Sequence, residues 1–510
     1  MLCSCNGTGL ETGVPQENVT EEPTQEESLP KDPSVPSEGL EFLPAPDGKS
    51  YYVIGIGSCE DRYLVIPEQY EGLPVTCIDK AAFMYTPVEI VLIPDSVTYI
   101  GERAFMYCGA LKSITIPDSV TEIGEYAFAV CYSLESITIP DSVKNINRGV
   151  FSECSSLKNV NLPDSVTDIG EEAFDRCTAL ESIIIPDSVK TIRDGAFRSC
   201  TKLREITLSR SLEQIGREAF IYCESLAGIE FPDSLKSISD AAFEKCGSLK
   251  SVVIPDNVND IGYGVFEKCF RLESVKLGTG INTIPSRMFR DCESLRDVNI
   301  PDSIESIGSM AFSCCRKLVQ VVIPVSVKSI GSDAFDSCTS LDGAYYDGDI
   351  EGWMNIDFGE HSTASNPLIF GVGLYLKGEL VTEVAVPESV TVINGNVFRG
   401  CTSIESVTVP ESVTAIETGA FMGCTALESV AIPDSVTSMG DSVFWGCTSL
   451  VSVGLPNGLT RIPHGTFTIC IALENLVIPE SVTEIGNSAF SGCSGFKNIF
   501  LLDAVNKIES

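Results

Sequence analysis

The sequence predicts a repeat solenoid, a right-handed superhelix with short parallel strands on its concave face and irregular or short helical segments on its convex side. Two observations predict it. A nearly constant stretch of nine residues recurs along the chain, and a phenylalanine follows it at a step of 23 residues. Repetition at such a period is typical of solenoids, in which each unit closes its core only against its neighbours.

The phenylalanine column defines the repeats. The step is 23 residues throughout, except for a first step of 22 and one gap of 63. The nine-residue stretch Ile116–Gly124 recurs almost verbatim from Ile139, Leu162 and Ile185. The column consists of Phe83, Phe105, Phe128, Phe151, Phe174, Phe197, Phe220, Phe243, Phe266, Phe289, Phe312 and Phe335 and, after the gap, Phe398, Phe421, Phe444, Phe467 and Phe490.

Each unit divides into three parts. The first reads L-x-x-I-x-I, as in Leu111, Ile114 and Ile116, and predicts a short strand with alternating apolar positions. The second, P-D-S, predicts a turn, because proline fixes φ and the Asp or Ser side chain can bond nearby backbone N–H groups. The third reads V-x-x-I-G-x-x-A-F-x-x-C. It is too short for a long helix, so we expect an irregular or single-turn helical return.

These residues resemble the BspA-like leucine-rich repeats, whose unit reads close to L-x-x-I-x-I-P-x-S-V-x-x-I-G-x-x-A-F-x-x-C. The resemblance places leucine-rich repeats at residues 81–341 and 381–510, and residues 51–83 are similar to the lead-in that often precedes such an array. It implies a bacterial surface protein that adheres to host matrix proteins, host cells or other microbes. It implies no catalytic residues, because the family has none.

Three segments are expected before the repeats. Residues 1–5 resemble the end of a bacterial lipoprotein signal, with Cys5 as the lipid-bearing residue; the alternative is a free cysteine without a role. Residues 6–39 are rich in Glu, Pro, Thr and Ser, a composition that predicts a disordered linker. Residues 40–80 are expected to form a β cap with a hairpin turn at Asp47 and Gly48, since an uncapped first repeat would expose core and a sheet edge.

Between Phe335 and Phe398 the period fails, and residues 342–380 form an island rich in aromatic residues. Tyr345, Tyr346 and Trp353 belong to it, and Lys377-Gly378 indicates a hairpin turn. Two interpretations are open. The island is either a tolerated insertion that packs its own aromatic side chains, or a loop that confers binding specificity, since rigid scaffolds commonly carry function on insertions.

Cysteine occurs 21 times, and sixteen of these residues stand three positions after a repeat phenylalanine. One cysteine per repeat, without any C-x-x-C pair, is not a zinc-binding pattern. We therefore expect a column of buried free thiols that pack as small hydrophobic groups. A disulfide between Cys59 and Cys77 in the cap is the open alternative for that pair.

Two polar columns follow the turn proline. The next residue is Asp or Glu in 12 of 16 repeats, for example Asp118 and Asp141. Turn chemistry explains this column, because exposed carboxylates about 5 Å apart repel each other by less than about 1 kcal/mol in water and need no metal. Weak binding of a divalent cation is the alternative. Serine follows in 13 of 16 repeats, as at Ser119, and is expected to bond the backbone of the neighbouring repeat.

The sequence indicates no catalytic, cofactor-binding or metal site. Its only histidines are His361 and His464, and its acidic residues recur by period instead of converging on one point. Gly48-Lys49-Ser50 lacks the first glycine of a phosphate-binding loop. An enzyme with its active site in the island is the least favoured interpretation.

The charge balance narrows the choice of partners. The chain has 34 Lys and Arg against 71 Asp and Glu, a formal net charge of −37. Such a surface disfavours nucleic acid and anionic lipid. No apolar run reaches the roughly 18 residues that a transmembrane helix needs. Contact with a membrane is therefore expected only through a lipid on Cys5.

The concave strand face is the expected ligand surface. One outward column lies between the two strand isoleucines of each repeat and is poor in aromatic residues: Thr115, Thr138, Asn161, Ile184, Thr207, Glu230 and Val253. A long surface of this kind suits extended ligands, such as extracellular proteins or glycans, that are held by many weak contacts. We predict an adhesin-like protein, lipid-anchored at its N-terminus on a bacterial surface, that binds through this column and through Tyr345, Tyr346 and Trp353. The alternative is an envelope scaffold without a specific ligand.

Overall fold

The computed structural model describes residues 35–359, 365–500 and 504–509. Within these ranges the chain is a solenoid of short parallel strands, as the repeat predicts. Apart from residues 226–231, each L-x-x-I-x-I segment supplies a strand of a first sheet, because alternation places one side chain in the core and the next in solvent. The strands of the first sheet are Tyr63–Val65, Ile90–Leu92, Ser113–Thr115, Ser136–Thr138, Asn159–Asn161, Ser182–Ile184, Glu205–Thr207, Ser251–Val253, Ser274–Lys276, Asp297–Asn299, Val322–Ile323, Gly343–Tyr346, Gly373–Leu376, Glu383–Ala385, Ser406–Thr408, Ser429–Ala431, Ser452–Gly454, Asn475–Val477 and Asn498–Phe500.

A second parallel sheet, which the sequence did not predict, runs along the solenoid. It is formed by the x-I pair of each V-x-x-I-G segment, whose isoleucine is buried, as at Ile169. Two residues are too few to be recognised as a strand, but pairing with the next repeat, as between Asp168 and Thr191, holds them in register. The strands of the second sheet are Tyr99–Ile100, Glu122–Ile123, Asn145–Ile146, Asp168–Ile169, Thr191–Ile192, Gln214–Ile215, Ser237–Ile238, Asp260–Ile261, Thr283–Ile284, Ser306–Ile307, Ser329–Ile330, Val392–Ile393, Ala415–Ile416, Ser438–Met439, Arg461–Ile462, Glu484–Ile485 and Lys507–Ile508.

The A-F-x-x-C segments form consecutive turns instead of short helices. In each of these repeats the residues two before and two after the phenylalanine have positive φ, as Arg103 (φ 59°) and Tyr107 (φ 64°) do around Phe105. The backbone N–H groups of these three residues donate to carbonyl groups of the next repeat at 2.8–2.9 Å. We call this stack the turn ladder. Of the two forms expected for this return, irregular or single-turn helical, these repeats adopt the irregular one. Among the described residues, the helix Ile350–Met354 and the 3₁₀ helix Pro367–Phe370 both lie in the island.

A column of phenylalanine rings forms the centre of the core. Consecutive rings are stacked with centroids 5.1–6.0 Å apart and planes within 18° of parallel, both before and after the island. The rings from Phe83 to Phe335 and from Phe398 to Phe467 are fully buried. Each ring contacts the ring before and the ring after it, so the core extends by one layer with every repeat.

The serine of the turn bonds the neighbouring repeat, as predicted. The Ser303 hydroxyl donates to the carbonyl oxygen of Ile281 at 2.7 Å, and the Ser165 hydroxyl donates to that of Val143 at 2.8 Å. The same bond recurs along the solenoid on both sides of the island, as from Ser435 to Val413 at 2.8 Å. The column therefore has a structural role.

The cap closes the N-terminal end of both sheets. Its strands are Glu41–Pro44, Tyr51–Gly55, Gln69–Tyr70 and Leu73–Ile78, and the first two form the hairpin predicted at Asp47 and Gly48. Leu73–Ile78 pairs with Tyr99–Ile100 and so starts the second sheet. Ser37 covers the edge of the first sheet, because its N–H donates to the Val65 carbonyl and its hydroxyl accepts from the Val65 N–H. The cap thus includes Ser37, so the predicted linker boundary at residue 39 was too late.

The island continues the solenoid as an enlarged repeat. Its strand Gly343–Tyr346 pairs in register with Val322–Ile323 on one side and with Gly373–Leu376 on the other. Ser329 pairs with Asp357 and so extends the second sheet by one bridge. The strand Glu379–Leu380 returns antiparallel across the predicted hairpin turn at Lys377-Gly378.

Candidate functional site

The outward face of the first sheet presents two exposed columns of side chains. Alternate residues of a strand share a face, so each three-residue strand presents its first and third side chains. The third-position column holds the predicted residues, and all seven are exposed: Thr115, Thr138, Asn161, Ile184, Thr207, Glu230 and Val253. Pairing keeps the column straight, as between Thr138 and Asn161. Glu230 follows Gly228, and the segment around them has no strand.

Two of the three island residues predicted to meet a ligand lie in the core. Trp353 is fully buried, and its indole Nε1–H donates to the carbonyl oxygen of Val397 at 3.0 Å. Tyr346 is 3% exposed and packs edge-on against Trp353. Because Gly343–Tyr346 alternates between core and solvent, only Tyr345 reaches the outward face. The prediction that Tyr346 and Trp353 form part of the ligand surface is corrected: they fasten the island to the next repeat.

The sequence analysis missed an exposed apolar row next to Tyr345. Val322, Tyr345, Tyr375 and Leu380 stand side by side on four neighbouring strands of the outward face, because the register pairs each with the next. We call these four residues the apolar row. Val322 is 37% and Leu380 47% exposed, and both tyrosines are half-buried. One feature of the sequence could have revealed this row: Val322 is a valine in a column whose other members are mostly polar.

A polar groove of about 850 Å³ lies where the island meets the second sheet, between residues 355–359 and 394–396. Its polar side chains are largely used within the fold. Asp357 accepts from the Gly359 N–H at 2.8 Å, Glu417 accepts from the Gly395 N–H at 3.0 Å, and Asn394 donates to the Met354 carbonyl at 3.1 Å. These bonds hold the island in place, so we assign the groove a structural role.

The cysteine column is a ladder of buried thiols. Apart from Cys401, which follows the island and contacts the Ser403 hydroxyl, the thiols of the column donate to the carbonyl oxygen of the phenylalanine in the preceding repeat, as Cys200 does to Phe174 at 3.2 Å. Burial raises the pKa of the Cys200 thiol well above its ordinary value, so it stays protonated. Cys59 and Cys77 are free thiols, so the disulfide considered for them is not formed. Within the described ranges, no group of three or more His, Cys, Asp or Glu side chains could hold a metal ion.

In the acidic turn column, some carboxylates accept a hydrogen bond from a backbone N–H group of the next repeat. Asp187 accepts from the Arg210 N–H at 2.9 Å, and Asp256 accepts from the Thr279 N–H at 2.8 Å. Bonding by the Thr279 N–H lowers the pKa of Asp256. At these positions the carboxylate therefore links one turn to the next, as turn chemistry requires.

Other residues that the sequence singled out lie apart from this face. His464 is half-exposed and lies beside the turn ladder, where its backbone N–H donates to the Asp441 carboxylate. Residues 1–34 and His361 lie outside the described residues, and with them Cys5, the predicted site of lipidation, and most of the predicted linker. No helix of the described residues is long and apolar enough to cross a membrane.

Comparison with protein families supports the repeat assignment. A family model described as the BspA type leucine rich repeat region matches residues 76–204, 121–246, 167–294, 213–342 and 375–510. The chain belongs to the BspA-type leucine-rich repeat family. Members of this family are bacterial surface proteins. No curated protein matches the chain at a significant level.

Several solved structures similar to this BspA-type chain are bacterial leucine-rich repeat proteins. One from T. pallidum is 35% identical over 38% of this chain and 90% of its own, with a TM-score of 0.35. One from Bacteroides ovatus is 24% identical over 94% of this chain and 100% of its own, with a TM-score of 0.37. A leucine rich cell surface protein of Faecalibacterium prausnitzii is 22% identical over 93% and 94%, with a TM-score of 0.29. At these TM-scores, no site or ligand is transferred to this chain.

Proposed function

We propose that this protein is displayed on a bacterial surface and binds extracellular macromolecules, proteins or glycans, through the outward face of the first sheet. Its role is that of an adhesin, and a lipid on Cys5 holds it at the cell surface. Family membership supports the placement at the surface, because BspA-type proteins are bacterial surface proteins.

The observation that carries the proposal is the repeated outward face itself. Its side chains are exposed in repeat after repeat and stand in register, as in Val253, Lys276 and Asn299. Backbone pairing and the phenylalanine core fix these positions, so a partner that spans several repeats meets a preformed surface. A preformed surface lowers the ordering cost of binding.

The test measures binding of the full chain to immobilised matrix glycoproteins, mucins and bacterial cell-wall polymers at physiological salt. Thr138→Lys combined with Thr207→Lys places two charges on the outward face, where both threonines are exposed. We expect this variant to bind its macromolecule at least about tenfold more weakly.

The control carries the same charge change elsewhere. Asn145 and Gln214 are exposed on the second sheet, so Asn145→Lys combined with Gln214→Lys should bind like the unaltered protein. Absence of saturable binding across the array would favour the envelope scaffold. An equal loss in both variants would place the binding surface away from the first sheet.

A further inference from the structure

The apolar row forms a low, flat floor on the outward face. The rings of Tyr345 and Tyr375 are stacked, with centroids 4.5 Å apart and planes 15° from parallel. Their edges lie over Gly343, where a Cβ atom would come within 2.7 Å of one ring and 2.8 Å of the other. Leu380 lies over Gly373 in the same way, with its Cδ1 2.7 Å from the Cβ position. The two glycines therefore let the tyrosine rings approach the sheet edge-on and let Leu380 pack close to it.

Covering a glycine with an aromatic ring stabilises a sheet by itself, so the row needs a second indication of a ligand. The preceding repeat provides it. Val319 is 43% and Val325 58% exposed, and with Val322 they occupy three outward positions of one repeat. Lys112, Thr115 and Asp118 occupy the same positions in an ordinary repeat. These valines cover no glycine and face solvent, which favours a surface that is buried by a partner.

The surroundings of the row are acidic. Residues 296–385, from the strand of Asp297 to that of Glu383, contain thirteen Asp and Glu and five Lys and Arg, and one of these five, Lys328, is paired with Glu305 at 2.8 Å. Four exposed carboxylates form a rim around the row. Asp297 and Glu383 lie on the flanking strands, and Asp342 and Asp347 lie at the two ends of the strand of Tyr345. None of the four forms an ion pair with a described residue.

An aromatic floor with a rim of carboxylates is complementary to a cation. The stacked rings turn their faces toward each other and toward the neighbouring strands, so a Lys or Arg side chain meets their edges and their hydroxyl groups, which can accept hydrogen bonds from ammonium and guanidinium groups. Their aliphatic stems can cover the valines, while the charged ends reach the carboxylates. The hydroxyl groups of a neutral sugar can donate hydrogen bonds to the rim, but only a basic side chain also gains charge attraction from it, and an anionic polymer is repelled.

We propose that the apolar row and its acidic rim bind a basic segment of a partner protein, whose Lys or Arg side chains lie on Tyr345 and Tyr375. This inference deepens the proposed function and rests on it, because it assigns a ligand class to one part of the outward face. Three of the four residues of the row lie within the island, so the island takes part in specificity as well as in packing.

The test uses the full chain and a fluorescent 16-residue peptide of alternating Gly with Lys or Arg, with the matching Gln peptide and a soluble neutral β-glucan as comparison probes. Tyr345→Ser combined with Tyr375→Ser leaves the net charge unchanged, so non-specific attraction to the acidic chain is preserved. We expect this variant to bind the basic peptide at least about tenfold more weakly at physiological salt. Tyr132→Ser combined with Tyr263→Ser removes two exposed tyrosines elsewhere and should have no effect.

A second variant tests whether weaker binding of the tyrosine variant is caused by loss of folding. Val322→Thr combined with Val325→Asn installs residues that the same columns hold at Thr138 and Asn457, and it should also weaken binding of the basic peptide. Asp347→Asn combined with Glu383→Gln should weaken it more than Asp118→Asn combined with Asp141→Asn, although both remove two charges.

Two outcomes would overturn the inference. Equal binding of the basic peptide to all these variants would mean that only the overall charge attracts it. Binding of the Gln peptide or the β-glucan through the row, with no preference for the basic peptide, would make the row a site for neutral ligands. In either case the proposed function stands if Thr138→Lys with Thr207→Lys still abolishes binding of the macromolecule.

Discussion

At the scale of single residues, hydrogen bonds between repeats account for most of the periodic polar positions. The hydroxyl of Ser303, the thiol of Cys200 and the carboxylate of Asp187 each reach the backbone of a neighbouring repeat. A buried backbone group without a hydrogen-bond partner lowers the stability of the fold by about 1–3 kcal/mol. A small polar side chain that bonds such a group therefore stabilises the solenoid. Asp175 is one of three described residues with a buried polar side-chain atom that lacks a hydrogen-bond partner.

Asp175 is a buried carboxylate with incomplete bonding. It is 7% exposed, and its Oδ1 has no hydrogen-bond partner among the described residues. Burial raises the pKa of Asp175 to about 6, although the guanidinium groups of Arg198 and Arg176 oppose the rise. The folded state therefore holds this proton more tightly than the unfolded state, whose carboxyl has an ordinary pKa near 4. Stability is lost as the pH rises from about 4 through about 6, by at most about 3 kcal/mol.

We expect Asp175→Asn to raise the thermal unfolding midpoint at pH 7.5, because the uncharged amide avoids the cost of burying the charge. The gain should shrink toward zero at pH 4, where the native carboxyl is protonated. Differential scanning calorimetry at the two pH values measures both. Asp118→Asn is the control, because Asp118 is exposed and the substitution should change little at either pH. An equal gain from Asp175→Asn at pH 4 and pH 7.5 would contradict the titration.

At the scale of elements, the turn ladder places non-glycine residues in a strained backbone region. Positive φ costs an L-residue roughly 1–2 kcal/mol, and most of all a β-branched one. Ile469 has φ 61°, whereas Gly446 and Gly492 occupy the same column in the neighbouring repeats. Bonds such as that from the Ile469 N–H to the Ser491 carbonyl, at 2.7 Å, offset the strain.

We expect Ile469→Gly to stabilise its region by about 1 kcal/mol, because glycine adopts this conformation without strain and the lost side chain is 44% exposed. Hydrogen exchange of the amides of residues 445–495 measures the change. The matched control is Ile471→Gly. Ile471 is similarly exposed at 47% but has no positive φ, so this substitution should destabilise the region. Destabilisation by both substitutions would show that strain at Ile469 is negligible.

At the scale of the whole molecule, each repeat is stabilised by its two neighbours. The ring of Phe197 stacks on Phe174 at 5.2 Å and on Phe220 at 5.3 Å, and it is fully buried. The cap covers the edges of both sheets at one end, and the enlarged repeat of the island joins the two runs of ordinary repeats. Damage inside one run should therefore stay near its origin.

We expect Phe197→Ala to cost about 3–5 kcal/mol, because it opens a cavity in the centre of the core. Loss of hydrogen-exchange protection should be confined to about two repeats on either side, while amides of residues 404–490 keep theirs. Exchange measured by mass spectrometry on the intact chain resolves the two regions. Uniform loss of protection along the chain would show that the solenoid unfolds as a single cooperative unit.

The sequence by itself determined the solenoid, the number and position of the repeats, and the outward column of the first sheet. It could do so because each repeat presents the same pattern again, so that an ambiguous segment of 23 residues becomes unambiguous when seventeen phenylalanines share one period. The free thiols, the serine bonds and both hairpin turns followed from local chemistry.

Tertiary structure alone decided the second sheet, the turn ladder and the surface of the island. A two-residue strand such as Asp168–Ile169 exists only because a neighbouring repeat pairs with it, and nothing inside the segment signals that partner. The island lacks the repeat pattern that identifies the inward-facing side chains elsewhere in the chain. Strand register buried Tyr346, and packing buried Trp353. Strand pairing also assembled the apolar row, from Val322 to Leu380, out of residues up to 58 positions apart.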